Sequence, residues 1–461
     1  MSSGAVSQRP SYIILLSIDG MANYYLQERQ VRMPHLRSLI KQGVMAGAMK
    51  SVFPTATWAI HSSIVTGTYP RKHGILGNWV MNRSTKSVGE YFSDSTWGKE
   101  EILQRETIYD TAKQLGWTTA SVCWPVTREA QSIDYNIPEF YDQDLFEAYA
   151  TPGLWRELKE AGLPVEQYGS WSKDHSRGHM QDWLTTEVAK HLIQRHKPNL
   201  MLLHYLLPDS YQHDYGTRSQ EVYWSLEYID ERIGELVSTL KEEGIWEDTA
   251  LCIVSDHGFV DTTKTVFPNV CFKQKGWFDP NQPEQSKVAA VSNGGSGYVY
   301  IFEEEPAMKA ALMREVKQCL QEMEGIGRLF EPQDYDSLGL PVEGEMEDQR
   351  PDFAFEAKMD CFIHFEHEGD LVFMEGTKFQ GMHGYLPDHE ELKCIFVAAG
   401  KSIPSGIQIP EIQIVDIAPT LLSMMGGDIS GMDGQAIDFK TNGKGARNGQ
   451  YSNEQHEGIS F

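Results

Sequence analysis

The chain has 461 residues, so it can bury a large core in one elaborate domain or in two domains. Its 65 acidic residues outnumber its 40 lysines and arginines, which gives a formal net charge of -25. This excess argues against non-specific binding to nucleic acid or to anionic membranes, because both need a basic surface. A phosphate-bearing substrate is compatible with it only if local cations, such as metal ions, offset the repulsion.

The N-terminal ten residues are polar, and the first apolar run, residues 12–18, is too short for a signal-peptide core or a membrane span. No other stretch approaches a transmembrane length. The six cysteines are scattered without a CxxC pair. We therefore predict a cytoplasmic protein with reduced thiols and no membrane or stable nucleic-acid partner; a trimmed signal peptide stays an alternative. The sequence does not set the oligomeric state.

Short apolar runs alternate with helical patterns along the chain. Residues 12–18, 119–123, 199–204 and 250–255 have the composition of buried strands. Residues 221–241 carry apolar side chains every three or four positions, which predicts an amphipathic helix that Gly244 stops. This alternation predicts an α/β fold, with a mainly parallel sheet covered by helices on both faces.

The segment 258–380 has a different character, with loop-like stretches, an acidic turn at 343–347 and one clear helix near 306–323. We interpret it as a small cap domain inserted into a catalytic core made of residues 1–257 and 381–461. The core resumes with a predicted strand at 393–398, and residues 415–422 open a closing helix.

Carboxylate and imidazole side chains occur at four points, three of them at the ends of predicted strands. Sites in open α/β sheets form beyond the carboxyl ends of the strands, so we expect these side chains to lie close together. Such oxygen and nitrogen ligands suit zinc and similar divalent ions. Their number exceeds the three or so protein ligands of one catalytic zinc and matches two ions about 3.5–4 Å apart. The residues are Asp19, Asp209, His213, Asp256, His257 and His383.

Single members of this set have simpler interpretations. Asp19 alone, after a strand, is more typical of a helix N-cap. The pair Asp256-His257 at the end of a buried strand has few structural uses, and the set as a whole favours a metal site. The remaining histidines, among them His61 and His204, are assigned to packing or to the surface.

A candidate nucleophile lies in the segment 53–70. Pro54 breaks the preceding structure, and residues 57–65 then predict a helix that ends at Gly67. Thr57 would begin this helix, where free N–H groups and the helix dipole favour anions. Capping by Thr55 or Thr57 is the commoner use of such a residue, but one threonine can serve both as cap and as metal-activated nucleophile.

Motifs in order along the chain carry a family resemblance. They are Ser17-Ile-Asp19-Gly, Phe53-Pro-Thr-x-Thr57, Ser63-Ile-Val-Thr-Gly67, Tyr69-Pro-x-x-His73-Gly-Ile, Asn78, Pro208-Asp209-x-x-x-His213, Ser255-Asp-His257-Gly and Gly381-x-His383-Gly-Tyr385. Together they resemble the nucleotide pyrophosphatase/phosphodiesterases of the alkaline phosphatase superfamily, from Asp19 to about Leu422. The resemblance implies an alkaline phosphatase-like fold and hydrolysis of phosphodiester or pyrophosphate bonds in small molecules.

The resemblance also implies the roles of individual residues. Thr57 would attack phosphorus and form a covalent phospho-threonine, which water then hydrolyses, while the Asn78 amide donates to a phosphate oxygen. Two zinc ions are implied, with manganese or iron as alternatives. The first would be held by Asp19, Thr57, Asp256 and His257, and the second by Asp209, His213 and His383.

The sequence departs from the family at one segment, and two alternative functions stay open. Animal members of the family typically carry Phe-Pro-Asn-His after the nucleophile, whereas this chain has Trp58-Ala-Ile-His61. Trp58 could stack on a flat substrate group, worth roughly 1–3 kcal/mol where such stacking occurs, or pack in the cap interface. A phosphonate hydrolase resembling phosphonoacetate hydrolase is the alternative enzyme and needs a cation such as Arg128. A metal-stabilised binding protein without turnover is the alternative outside enzymes.

Overall fold

The computed structural model describes residues 9–91 and 96–439 of the chain. Its helices and strands follow the alternation predicted from the sequence. The strands are β1 Tyr12–Ile18, β2 Val44–Ala46, β3 Met49–Lys50, β4 Trp79–Asn82, β5 Ser87–Glu90, β6 Thr119–Trp124, β7 Tyr135–Pro138, β8 Leu200–Tyr205, β9 Thr249–Ser255, β10 Val260–Asp261, β11 Lys264–Val266, β12 Val288–Ser292, β13 Ser296–Ile301, β14 Ile326–Phe330, β15 Phe353–Ala357, β16 Cys361–Ile363, β17 Phe373–Glu375, β18 Gly381–Met382, β19 Phe396–Gly400, β20 Ile407–Ile409 and β21 Ile412–Gln413.

The α-helices lie mostly between these strands. They are α1 Pro34–Gln42, α2 Thr57–Thr66, α3 Pro70–His73, α4 Lys99–Ile102, α5 Ile108–Gln114, α6 Gln143–Tyr149, α7 Pro152–Glu160, α8 Tyr168–Ser172, α9 Gly178–Arg195, α10 Leu207–Tyr215, α11 Gln220–Glu242, α12 Pro268–Gln274, α13 Pro306–Glu322, α14 Tyr335–Leu338 and α15 Ile417–Met425. None of the helices in the described ranges combines the length and the apolar composition that crossing a bilayer requires.

The main sheet has eight strands in the order β20-β2-β19-β9-β1-β8-β6-β7. Every pairing is parallel except those of β19, which runs antiparallel to β2 and β9. The prediction of an α/β fold with a mainly parallel sheet is therefore confirmed. The central strand β1 is apolar except at Ser17, because both of its faces are covered by helices.

Two apolar layers sandwich this sheet. Side chains of β1 alternate between them, with Leu16 in one layer and Leu15 in the other. Helices α9 and α11 contribute to the first layer, for example through Leu226. Helices α2 and α15 contribute to the second, for example through Ile60 and Leu421.

Residues 260–382 form sheets of their own. Strands β12, β13, β15 and β14 make an antiparallel sheet, and β16, β11 and β17 make a smaller one. Helix α13 covers them with Val316 and Leu320. Strands β10 and β18 pair where the chain leaves and re-enters the main sheet region, joining Val260 to Met382. These limits lie close to the predicted bounds of 258–380, and the division into a catalytic core and an inserted cap domain stays a prediction.

The predicted elements differ from the observed ones mainly at their ends. The strand at 12–18 matches, and the helix at 221–241 extends by one residue at each end. The strand predicted at 393–398 begins only at Phe396. Before it, Cys394 pairs with Met49, donating its N–H to the Met49 carbonyl at 2.8 Å. Residues 394–398 are all apolar, so composition alone did not show that Cys394 lies outside the strand that begins at Phe396.

Candidate active site

The register of the main sheet brings distant acidic residues together. Ile18 at the end of β1 pairs with Ser255 at the end of β9. The residues that follow, Asp19 and Asp256, therefore leave the sheet side by side at its carboxyl edge. Helix α10 begins just after the neighbouring strand β8 and carries Asp209 in its first turn.

The first group of candidate ligands surrounds the ring of His257. Its Nε2 atom lies 3.3 Å from Asp19 Oδ1 and 3.4 Å from Asp256 Oδ2. The hydroxyl oxygen of Thr57 lies 3.5 Å from the same nitrogen. All four residues are buried. The structure thus brings together the side chains predicted for the first metal.

The second group is built around Asp209. His213, one turn further along α10, places its Nε2 atom 3.6 Å from Asp209 Oδ1. His383, from the loop after β18, places its own Nε2 atom 3.8 Å from the same oxygen. The two groups are adjacent, because the rings of His257 and His383 stack at a centroid distance of 3.8 Å.

Backbone carbonyls fix the orientation of all three rings. His383 directs Nδ1 at the Thr55 carbonyl at 2.7 Å, and His213 directs its own at the Gly381 carbonyl at 3.0 Å. His257 makes the longer contact of 3.3 Å to the Gly258 carbonyl. Because Nδ1 donates in each case, Nε2 is the unprotonated nitrogen and faces the carboxylates, as in metal-ligating histidines.

Buried carboxylate oxygens in both groups lack a hydrogen-bond donor. Asp19 Oδ1, Asp209 Oδ1 and Asp256 Oδ2 have no such partner among the described residues. The other oxygen of Asp256 accepts from the Gly20 and His257 N–H groups at 3.1 and 2.9 Å. A buried polar atom without a partner is costly unless a cation takes that place. Three such oxygens beside three imidazole nitrogens fit divalent metal ions.

Burial shifts the ionisable groups of the site towards their neutral forms. Burial, together with the charges of Asp256 and Asp209, raises the pKa of Asp19 well above its usual value, and burial raises the pKa of Asp209 to about 7. Burial also lowers the pKa of His213 to about 4 and that of His383 to about 3. Neutral imidazole is the form that binds metals, and a bound cation would reverse the penalty on the carboxylates.

The two candidate threonines have different surroundings. Thr55 ties the His383 loop to the core, since its hydroxyl donates to the Tyr385 carbonyl and accepts from the Gly384 N–H, both at 2.9 Å. Gly384 has a φ of +95°, and a Cβ there would lie 1.7 Å from the Asn293 carbonyl oxygen, so only glycine allows this approach. Thr57 instead is the first residue of α2 and faces the ligand group.

Asn78 is fixed by hydrogen bonds beside the start of α2. Its Oδ1 accepts the N–H of Trp58 at 3.1 Å, and its own backbone N–H donates to Asn293 Oδ1 at 2.9 Å. Because Oδ1 is engaged, the Nδ2 donors of Asn78 remain for a ligand. Asn78 lines the cavity that contains Thr57.

Of the two alternatives for Trp58, the structure contradicts stacking on the substrate and agrees with packing. Its side chain is only 3% exposed and packs with Phe53, Ile75 and Tyr298 in an apolar cluster. It does not line the cavity. One step along a helix rotates a side chain by about 100°, so Thr57 faces the ligands while Trp58 faces the core.

A cavity of about 340 Å³ opens onto both ligand groups. Its walls include aromatic side chains that the sequence analysis missed, and the Trp79 and Phe365 rings lie 6.1 Å apart there. Trp79 could have been found from the sequence, because it directly follows the candidate residue Asn78. The other aromatic residues of the cavity come from scattered segments without such a signal. The aromatic residues are Trp79, Tyr141, Phe362, Phe365 and Phe379.

Three other residues make contacts that the sequence did not predict. His204, assigned to packing, lies fully buried with its Nε2 3.2 Å from Asp19 Oδ2. His61 supports the start of α2, with Nδ1 2.8 Å from the Thr57 carbonyl. Arg128, the cation considered for a phosphonate substrate, does not line the cavity and stacks on the Tyr149 ring at 3.8 Å.

Comparison with known proteins identifies the family. The model of the type I phosphodiesterase / nucleotide pyrophosphatase family matches residues 13–386. The chain belongs to this family. It is 26% identical to the bis(5'-adenosyl)-triphosphatase ENPP4 of Bos taurus over 428 residues, 91% of this chain and 79% of that protein. It is 24% identical to the venom phosphodiesterase CdcPDE of Crotalus durissus collilineatus over 420 residues, 88% of this chain and 43% of the venom protein.

The fold agrees with this assignment. The structure of murine ectonucleotide pyrophosphatase/phosphodiesterase 5 superposes with a TM-score of 0.66 at 17% identity, over 92% of this chain and 97% of that one. The alkaline phosphatase-like fold predicted from the motifs is therefore confirmed. The protein is a hydrolase of the phosphodiesterase and nucleotide pyrophosphatase type, and its family is metal-dependent.

Proposed function

We propose that this protein hydrolyses small phosphodiesters or pyrophosphates by attack of the Thr57 hydroxyl, with two divalent metal ions, preferably zinc. The observation that carries the proposal is the convergence of Thr57 with two groups of buried ligands whose carboxylates lack other partners. A purely structural cluster would satisfy these oxygens with protein donors.

The donor set divides between two ions. Asp19, Asp256 and His257, together with Thr57, would hold one, and Asp209, His213 and His383 would hold the other. Their mixture of carboxylate oxygen and imidazole nitrogen suits zinc. When bound, the ions supply Lewis-acid chemistry, which makes a coordinated hydroxyl more nucleophilic and neutralises charge on phosphate oxygens.

The remaining chemistry belongs to side chains of the chain itself. Thr57 Oγ1 forms a bond to phosphorus, and the bond from phosphorus to the leaving group breaks in line with it. The leaving group departs as an alcohol or a phosphate, and water then hydrolyses the phospho-threonine. Asn78 Nδ2 donates to a non-bridging oxygen throughout, and the positive end of the α2 dipole favours the developing charge.

The cavity walls indicate the kind of substrate. The aromatic rings of Trp79 and Phe365 lie in the cavity with Thr57, so a flat apolar group on the phosphate can stack against them. Nucleotides combine such a group with a phosphodiester or pyrophosphate bond. The relatives named as a triphosphatase of adenosyl substrates and as a phosphodiesterase make nucleotide-type substrates the first to test.

The proposal is tested by comparing hydrolysis of bis-p-nitrophenyl phosphate with that of p-nitrophenyl phosphate, with zinc added or chelated. We expect chelator-sensitive turnover that favours the diester. Thr57→Ala should lose at least about 10³-fold in kcat, whereas Thr57→Ser, which keeps a hydroxyl, should retain measurable turnover. Activity on neither ester, in protein shown to hold metal, would overturn the proposal and make phosphonates the next substrates to test.

A further inference from the structure

A further cluster of metal-ligating side chains lies outside the active site. Glu157 on α7 faces His191, near the end of α9, and His196, the residue that caps α9. Nε2 of His191 lies 2.7 Å from Glu157 Oε1, and Nε2 of His196 lies 3.0 Å from both oxygens of that carboxylate. None of the three residues lines the catalytic cavity.

Packing holds these three side chains in place. Leu158, next to Glu157, is fully buried, and so is Leu192, next to His191. The ring of His196 stacks on Tyr135 at a centroid distance of 4.1 Å. The helices that carry the ligands are therefore anchored in the core, while the side chains remain partly exposed, at 35% for Glu157 and 13% and 20% for the histidines.

We propose that Glu157, His191 and His196 bind a divalent transition-metal ion, of which zinc is the best match. Two imidazole nitrogens and one carboxylate are a typical three-ligand set for zinc, with the fourth position left to solvent. Ligand atoms around a tetrahedral zinc lie about 3.4 Å apart. The contacts of 2.7 and 3.0 Å need to open by about 0.4–0.7 Å to reach that spacing, which partly exposed side chains allow. The net charge of -25 favours uptake of cations.

The simpler interpretation is an ion pair, in which Glu157 accepts hydrogen bonds from both histidines and tethers α7 to α9. The two interpretations differ in their response to pH. Protonated histidines strengthen an ion pair with a carboxylate, whereas metal binding requires unprotonated imidazole nitrogens and so strengthens as pH rises. They also differ in stoichiometry, since only the metal site adds an ion to the chain.

The test compares bound zinc in the wild type and in the double variant His191→Gln/His196→Gln, by mass spectrometry of metal content after equilibration at defined free zinc. Glutamine keeps a donor for Glu157 but is a poor zinc ligand. We expect the double variant to hold one ion fewer per chain than the wild type, with unchanged hydrolysis of bis-p-nitrophenyl phosphate. Glu157→Gln should show the same loss, and His367→Gln, which lies outside every such cluster in the described ranges, should show none.

Cobalt(II) substitution provides a second readout, because cobalt in a tetrahedral site absorbs visible light. The double variant should lack the part of this absorption that comes from the Glu157 site and keep the part that comes from the active site. Equal metal content and equal cobalt spectra in wild type and double variant would overturn the proposal. This outcome is independent of the catalytic assignment, since it compares two proteins with the same active site.

A pair of cysteines carries a second, independent inference. Cys271 on α12 and Cys319 on α13 place their Sγ atoms 3.0 Å apart, closer than two non-bonded sulfur atoms normally approach. The hydrogen bond from Cys319, with a contribution from Lys275, lowers the pKa of Cys271 to about 7. Cys271 is also partly exposed, so it can meet a small oxidant.

We infer that Cys271 and Cys319 form a disulfide in the presence of glutathione disulfide. The Cys271 thiolate attacks one sulfur of the oxidant and releases a glutathione thiolate. The Cys319 thiol then gives its proton to the released glutathione thiolate, and its sulfur attacks the mixed disulfide at Cys271 and releases a second glutathione. Two protein thiols are thereby oxidised and one disulfide is reduced. Geometry favours this pair, because its sulfur atoms are already in contact.

This inference is tested by unfolding the protein, labelling its free thiols with a maleimide reagent and counting the labels. The reduced wild type should show all six thiols. After oxidation it should show two fewer and should remain a monomer. Cys271→Ser and Cys319→Ser should not form this internal bond, whereas Cys361→Ser should still lose two thiols. A wild type that keeps all six, or that loses thiols only in disulfide-linked dimers, would overturn the inference.

Discussion

Asn78 and Trp58 are joined by a hydrogen bond that gives the Asn78 amide a defined direction. The backbone N–H of Trp58 donates to Asn78 Oδ1 at 3.1 Å, one residue after the proposed nucleophile. Since a backbone N–H can only donate, the oxygen of the amide must face it, and the NH₂ group is left for the cavity. The start of α2 thus positions both Thr57 and the donor proposed to bind the phosphate.

Replacing Asn78 with Asp tests this donor directly. Aspartate keeps the oxygen that accepts from Trp58, so the packing is preserved, but it loses the NH₂ donor and adds a negative charge near the phosphate. We expect kcat/KM for bis-p-nitrophenyl phosphate to fall by at least about 10²–10³-fold, the usual effect of removing such a donor. Metal content should be unchanged. An activity within threefold of the wild type would show that Asn78 does not contact the phosphate.

Replacing Asp256 with Asn tests whether the buried carboxylates exist to hold metal. The Oδ1 contacts to Gly20 and His257 can persist, whereas the charge of the unpartnered oxygen is lost. With chelator, the variant should melt at a higher temperature than the wild type, because it lacks an uncompensated buried charge. With zinc, the order should reverse. Binding at about 100 times Kd stabilises a site by about 2.7 kcal/mol. Thermal melts that keep the same order in both conditions would contradict the metal assignment.

Replacing Phe365 with Ala tests the aromatic wall. Loss of stacking on one flat group costs about 1–3 kcal/mol, so kcat/KM for bis-p-nitrophenyl phosphate should fall by roughly 5- to 150-fold. Methyl p-nitrophenyl phosphate has the same leaving group without a second ring and should be affected much less. Equal losses on both substrates would instead indicate that the variant disturbs the reaction centre. Phe365 is half exposed, so its removal should not unfold the protein.

His73 makes a separate prediction for stability against pH. Burial lowers its pKa to about 3, against 6.5 for an exposed histidine, and its Nδ1 accepts from the Ile75 N–H. Between these values the unfolded chain binds a proton that the folded chain does not, so stability falls as pH drops below about 6.5. His73→Gln removes this dependence. The advantage of the wild type in free energy of unfolding should therefore shrink by about 1.4 kcal/mol per pH unit from 6.5 downwards, measured by urea unfolding. A constant difference would mean that His73 is not buried in its neutral form.

Much of the fold and of the ligand set could be predicted because local patterns carry them. Strand β1 is apolar at every residue except Ser17, a pattern typical of a strand covered on both faces. Asp19 and Asp256 follow such strands, and the geometry of parallel sheets then brings their ends together. These are consequences of sequence position and strand direction, so a single sequence contains them.

The rest depends on how each helix is rotated about its axis and on contacts between distant segments, neither of which a single sequence contains. The phase of α2 sends Trp58 to the core although it neighbours Thr57, and no composition signal distinguishes the two faces of this almost wholly buried helix. Phe365 reaches the cavity from a segment with a loop-like pattern. The contact of Glu157 with His196 joins the end of one helix to another helix, and only the tertiary structure places them together.

The central claim is that Thr57 forms a covalent intermediate, and the stereochemistry at phosphorus tests it most directly. A chiral phosphorothioate diester is hydrolysed in isotopically labelled water, and the configuration of the product is determined. Two successive in-line displacements, first by Thr57 and then by water, predict net retention of configuration. Inversion would show that water attacks phosphorus directly and would contradict the assignment of Thr57 as nucleophile.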